Sequence, residues 1–159
     1  MIREMKESDT ENALVILNEA ILAGNSTGRY VCPTKEEWEK SVLPDCRYVY
    51  EENGELLGFI VLHPFSARPC YSSVAEISIY VASGARRKGI GRLLMQKVID
   101  ESAKYGILSL TSNVFATNEA SIKLHEALGF RRVGYRDRVL KTSTGEWMNI
   151  VIFELRKQE

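Results

Sequence analysis

The segment from Val74 to Lys104 restricts the fold more tightly than any other part of this chain. Val74-Ala75-Glu76-Ile77-Ser78-Ile79-Tyr80-Val81 alternates and is rich in β-branched residues, which predicts a strand. Ile90, Leu93, Leu94 and Val98 recur at helical spacing, so an amphipathic helix is expected to about Lys104. Between them lies Arg86-Arg87-Lys88-Gly89-Ile90-Gly91-Arg92. Glycines let a backbone approach a bulky ligand and adopt torsions that a Cβ would forbid. The unpaired N–H groups of a helix's first turn, at the positive end of its dipole, suit a phosphate or pyrophosphate. Arg86, Arg87, Lys88 and Arg92 add to that field, and nothing acidic in the loop neutralises them. The anion must therefore come from a ligand.

Two other phosphate loops are excluded by spacing. The chain has no G-x-x-x-x-G-K-[ST] run, and no G-x-G-x-x-G after the first strand with an acidic residue following. The balance of 21 basic against 21 acidic residues argues against nucleic acid as a partner, since such proteins carry a strongly basic face. No stretch approaches a membrane span, and the N-terminus has no apolar run of signal-peptide length. Cys32, Cys46 and Cys70 are odd in number and lack paired spacing, so neither a disulfide framework nor a metal site is supported. Reduced thiols in a cytoplasmic protein are the expectation. At 159 residues, 45% of them hydrophobic, a single domain spanning 1–159 with its own core is expected.

Local signals order the rest of the chain. Ile2 to Met5 can form a first strand, and Ser8 with Glu11 reads as a capping box opening a helix that Gly24 closes. Asn25 to Tyr30 is a polar loop. Thr34 and Glu37 form a second capping box, with Trp38 and Val42 inward and Pro44 as the stop. Asn53-Gly54 between Tyr48-Val49-Tyr50 and Leu57–Leu62 is a hairpin signal, and Phe59-Ile60-Val61-Leu62 reads as a central strand apolar on both faces. His63 to Tyr71, with two prolines, is expected to be an irregular loop. Leu108–Val114 reads as a strand, and Asn118 caps a helix with Ala120, Leu124, Ala127 and Leu128 inward and Gly129 at its end. Phe130–Leu140 and Trp147–Leu155 are strands around a turn at Thr142–Gly145. Hairpins interleaved with helices imply a mixed sheet with helices on its faces.

These residues carry a family resemblance. Arg86-x-x-Gly89-x-Gly91 resembles the Gln/Arg-x-x-Gly-x-Gly/Ala loop of the GCN5-related N-acetyltransferases, and the order of elements matches over essentially the whole chain. Three further stretches resemble the phosphinothricin acetyltransferase branch. They are Asn25-Ser26-Thr27 before Thr34-x-Glu36-Glu37-Trp38, Ala67-Arg68-x-x-Tyr71 before Glu76 and Tyr80-Val81, and Leu124-His125-Glu126-Ala127-Leu128-Gly129-Phe130. The resemblance implies an α/β fold with a mixed, mostly antiparallel central sheet flanked by helices on both faces. It also implies acetyl-CoA as cosubstrate, no metal, and a homodimer.

In that family the loop's N–H groups hold the cofactor pyrophosphate, here about Arg87 to Arg92. The preceding strand splays at a bulge, and its backbone at Ile79, Tyr80 and Val81 pairs with the pantetheine arm. Asn118 corresponds to a pantetheine-contacting asparagine, with Ser121 and Lys123 close by. The chain departs from the pattern at Arg86, where glutamine is commoner. It also departs at His125, where many relatives carry a tyrosine general acid, and at Lys141–Asn149, which alters the branch's C-terminal stretch.

The implied reaction needs a neutral amine to attack a thioester. An aliphatic ammonium sits about 2 to 3 pK units above neutrality, so deprotonation costs roughly 3–4 kcal/mol. A positioned carboxylate contributes about 10²–10⁴ in rate, and Glu76, on the strand before the loop, is the expected general base. The main-chain N–H near Tyr80 or Val81 is the candidate donor to the oxyanion. His125 is either the acid for the leaving thiolate or a structural residue. Ser26, Thr27, Phe65, Arg68 and Tyr71 are the expected acceptor contacts, with Arg68 pairing an acceptor carboxylate in bidentate fashion. The acceptor class expected is a small amino-acid-like amine of the phosphinothricin or methionine sulfoximine type. A polyamine, an antibiotic, a protein N-terminus, and a non-catalytic acyl-CoA-binding module remain alternatives.

Overall fold

The structure is a computed structural model and describes residues 1–157. Its elements are β1 (Ile2–Glu4), α1 (Thr10–Ala23), α2 (Lys35–Ser41), β2 (Tyr48–Glu52), β3 (Glu55–Pro64), β4 (Val74–Val81), α3 (Ile90–Glu101), β5 (Ser109–Phe115), α4 (Glu119–Ala127), β6 (Arg131–Lys141) and β7 (Trp147–Arg156). The seven strands form one sheet in the order β1-β2-β3-β4-β5-β7-β6. β4 and β5 run parallel, which requires the crossover through α3, and every other neighbouring pair is antiparallel.

Alternation along β3 sorts the two cores. Phe59 and Val61 pack with Ala13, Leu17, Trp38 and Val42 of the α1–α2 side, whereas Ile60 and Leu62 pack with Ile90, Leu94 and Val98 of α3. All four β3 residues are fully buried, as a strand covered on both faces requires. The Asn53-Gly54 turn has φ of 53° and 78°, the left-handed pair that a two-residue hairpin needs. The Thr34–Glu37 capping box forms, with Glu37 N–H donating to Thr34 Oγ1 at 3.2 Å and Thr34 N–H to Glu37 Oε1 at 3.0 Å.

Four local expectations are corrected. Ser8 and Glu11 do not cap α1. Instead the Asp9 carboxylate accepts from Lys6 N–H at 2.8 Å and from both Arg3 terminal nitrogens at 2.8 and 2.9 Å, tying α1 to β1. Leu93 is 49% exposed and Met95 takes its place in the core. On α4, Ala120 and Ala127 are exposed, and the buried residue of that helix is His125. Finally, β3 continues through His63 and Pro64, which pair with Glu76 and Ala75. A proline is tolerated at that strand end.

The feature that shapes the molecule is a gap. β4 touches β5 only at Val74↔Ser109, Ala75↔Leu110 and Glu76↔Thr111. Beyond Glu76, β4 keeps only β3, while Ser112–Phe115 of β5 keep only β7. The β3–β4 register runs unbroken through this point, so the strands diverge without the expected bulge.

Candidate active site

The loop before α3 is built for an anion. Arg87 and Gly89 both adopt left-handed backbone, with φ of 67° and 75°. Such torsions cost a side-chain-bearing residue about 1–2 kcal/mol, so Arg87 is held there by the loop around it. Gly89 is the N-cap of α3 and offers no side-chain partner, which leaves first-turn N–H groups of α3 open. Arg86, Arg87, Lys88 and Arg92 are exposed, and none forms an ion pair among the described residues. The Ile90 side chain is buried, so that residue can contribute only backbone to the loop.

From this loop a groove of about 470 Å³ runs between β4 and α4, walled by Arg86, Gly91, Ile79, Val81, Thr117 and Leu124. A second cavity of about 490 Å³ continues past the gap and contains Glu76, His63, Thr27, Arg29 and Ser112. Ser26, Ile79, Tyr80, Asn118 and Ser121 line both, so the two spaces join into one cleft. Asn118 Oδ1 accepts from Ser121 N–H at 3.2 Å, which caps α4 and fixes that helix start at the junction. Lys123 is exposed on α4 and lines neither space.

Strand alternation decides which backbone donors face the cleft. Ala82 N–H donates to Leu57 O at 2.8 Å across the β3–β4 ladder. N–H groups alternate in direction along a strand, so Tyr80 N–H also faces β3, and those of Val81 and Ile79 face the gap. Of the two candidate oxyanion donors, Val81 is the one turned toward the cleft, and the Tyr80 main chain is committed to the sheet. The Tyr80 phenol lies beside Thr27, and burial pushes its pKa up, so it stays protonated.

Glu76 is half-buried and its side chain shares the sheet face of Ser78 and Tyr80. Directly across the ladder is His63, in a cross-strand position where Cβ atoms approach to about 4.5–5.5 Å. His63 Nδ1 lies 3.0 Å from Ser41 O. A carbonyl only accepts, so Nδ1 carries the proton and Nε2 keeps its lone pair. Burial lowers the His63 pKa, and Glu76 raises it while Arg29 lowers it.

His125 is 1% exposed, with Nδ1 donating to Ser121 O at 2.7 Å and Nε2 accepting from Ser112 Oγ at 2.9 Å. Its ring stacks on Phe153 at 5.0 Å and meets Phe130 edge-on at 5.0 Å. Desolvation lowers its pKa, so the ring is neutral with both nitrogens engaged. That arrangement suits a brace between α4 and β5 better than a proton donor.

Of the expected acceptor contacts, Ser26 and Thr27 line the cleft beside Glu76. Phe65, Arg68 and Tyr71 do not. They are exposed beyond the end of β3, with the two aromatic rings 5.3 Å apart. Sequence reasoning missed Arg29 and His63. His63 was within reach, because continuing the Phe59–Val61 alternation by one step puts it on the Glu76 face. Arg29 had no local signal. Among the described residues no group of three or more His, Cys, Asp or Glu could hold a metal ion, and no helix is long and apolar enough to cross a membrane.

Known proteins share this architecture. The family model described as "Acetyltransferase (GNAT) family" matches residues 16–130. A phosphinothricin N-acetyltransferase of Streptomyces coelicolor is 39% identical over 54% of this chain and 51% of its own length. An L-methionine sulfoximine/L-methionine sulfone acetyltransferase of Salmonella typhimurium is 30% identical over 70% of this chain and 64% of its own. These two alignments cover about half to two thirds of each relative. The crystal structure of a GNAT superfamily phosphinothricin acetyltransferase from Sinorhizobium meliloti in complex with acetyl-CoA superposes with a TM-score of 0.91. That match covers 100% of this chain and 89% of that one at 25% identity.

Proposed function

We propose a specific reaction for a chain that belongs to the acetyltransferase (GNAT) family: transfer of acetyl from acetyl-CoA to the primary amine of a small amino-acid-like acceptor, of the phosphinothricin or methionine sulfoximine type. The chain is an acetyl-CoA-dependent N-acyltransferase. The observation that carries the finer reading is the junction of two spaces at the β4–β5 gap, one leading to the basic loop and the other to Glu76. The residues present fit the cosubstrate: a left-handed loop with uncompensated cations, then a groove open along unpaired β4 backbone.

When bound, acetyl-CoA supplies an activated acetyl group as its thioester. The first-turn N–H groups of α3 and the loop cations hold the diphosphate. Backbone groups of Ile79 and Val81 hold the pantetheine arm, and Asn118 and Ser121 close the groove opposite them. Glu76 accepts the proton of the acceptor's ammonium, directly or through a water, offsetting the roughly 3–4 kcal/mol that deprotonation costs at neutral pH. Val81 N–H donates to the carbonyl oxygen as negative charge grows there. Ser26 and Thr27 wall the acceptor side. No strong acid is needed for the leaving thiolate.

Glu76→Gln tests the assignment. Thiol release from acetyl-CoA with L-methionine sulfoximine should fall about 10²–10⁴-fold at neutral pH, with calorimetric acetyl-CoA affinity within about twofold of the parent. Full retention of rate would remove Glu76 as the base. Acetyl-CoA binding without thiol release across a panel of amines would leave a binding module in place of an enzyme.

A further inference from the structure

Arg29 lies in the loop between α1 and α2, where its N–H donates to Thr27 Oγ1 at 3.2 Å and fixes the turn. It is half-buried and lines the same cavity as Glu76. Among the described residues it has no carboxylate within 4 Å, unlike Arg3, Arg47, Arg131, Arg132 and Arg138. A guanidinium that loses hydration without gaining a partner is costly, and it invites an anion from outside.

The charges lining this cavity are few. Glu76 is its carboxylate, Arg29 its permanent cation, and His63 and His125 its neutral imidazoles. Glu76 and Arg29 act in opposite directions on the same two side chains, His63 and Tyr80, yet do not form an ion pair with each other. The cavity therefore presents one positive and one negative group that are not paired with each other. A free amino acid carries the complementary pair, an ammonium and a carboxylate on one carbon.

We propose that Arg29 is the residue that binds the carboxylate of the acceptor and so turns its amine toward Glu76. The proposal rests on the acetyl-transfer reading above. Arg29 holds the acid group through its planar fork of donors while Glu76 receives the amine, so the two charges set the acceptor's orientation. Arg68, the arginine expected for this role, lies outside the cleft.

The test compares L-methionine sulfone with its carboxamide, which keeps the amine and side chain and removes the negative charge. For the parent, Arg29→Lys and Arg29→Ala, two ratios of acid over amide are measured. One is kcat/KM for thiol release, and the other is calorimetric affinity in the presence of coenzyme A, which has no acetyl to give. The parent should favour the acid about 10–100-fold in both, with Arg29→Ala bringing both ratios near one and Arg29→Lys in between. An undiminished preference in Arg29→Ala, or equal use of acid and amide by the parent, would overturn the assignment while leaving acetyl transfer standing. Arg29-dependent binding of the acid with no thiol release would instead support Arg29 and defeat the transfer reading. Failure of the parent to bind either probe would overturn both.

Discussion

Replacing His125 separates bracing from proton donation. Its ring makes two buried hydrogen bonds, to Ser121 O and from Ser112 Oγ, and packs on Phe153 and Phe130. Each hydrogen bond contributes about 1 kcal/mol net, and leaving the buried Ser112 hydroxyl without a partner costs about 1–3 kcal/mol more. With the lost ring contacts, His125→Ala should destabilise the fold by about 3–5 kcal/mol, within the range for emptying a core position. For a domain of this size that is a drop of about 6–20 °C in melting temperature. His125→Phe keeps the stacking and loses the polar contacts, so it should recover part of the loss. Urea unfolding gives the stability, and thiol-release kinetics below the melting range give the activity. A brace predicts that the folded His125→Phe enzyme turns over within about tenfold of the parent, because the ring's only N–H already serves Ser121. Turnover slowed by about a hundredfold or more, with stability unmoved, would refute the reasoning and make His125 an acid.

Burial and packing give two further outcomes. The folded pKa values of His63 and His125 both lie below the ordinary 6.5, chiefly through desolvation. Below about pH 6.5 the unfolded chain therefore takes up protons that the folded chain declines, and stability falls as pH falls, by at most about 1.4 kcal/mol per pH unit for each histidine. Urea midpoints between about pH 7.5 and 5.5 should show this decline, and His63→Gln should flatten it; an unchanged slope in that variant would contradict the assignment. At Gly58 a Cβ would lie 3.1 Å from Ile90 Cγ2, 3.2 Å from Tyr80 O and 3.3 Å from Leu94 Cδ1. Gly58→Ala should cost about 1–3 kcal/mol and, by pushing the first turn of α3 off the sheet, weaken acetyl-CoA binding. Unfolding and calorimetry check both, and a loss below about 0.5 kcal/mol would mean that α3 yields freely.

What could be read without the structure depends on forces acting over a few residues. Asn53-Gly54, the Thr34–Glu37 box, Gly24, Gly89 and the Asn118 cap each set local torsions or satisfy nearby N–H groups, and each stands where expected. The two-sided apolar run Phe59–Leu62 likewise announced a strand with helices on both faces. Ser8 and Glu11 failed because Asp9 takes the capping place instead, accepting from Lys6 N–H while Arg3 of β1 holds its carboxylate.

The cleft itself was not legible in this way. Its opening exists because β4 and β5 pair for only three residues before diverging, a matter of sheet geometry with no mark at any single position. Residues 29, 63 and 76 line one cavity only through the strand register and the path of the α1–α2 loop, and the loop carrying Phe65, Arg68 and Tyr71 stands outside that lining. His125 looked like a candidate acid in sequence, and three-dimensional packing gave both its nitrogens partners. Short-range stereochemistry belongs to the chain itself, whereas the meeting of distant side chains depends on how the whole sheet closes.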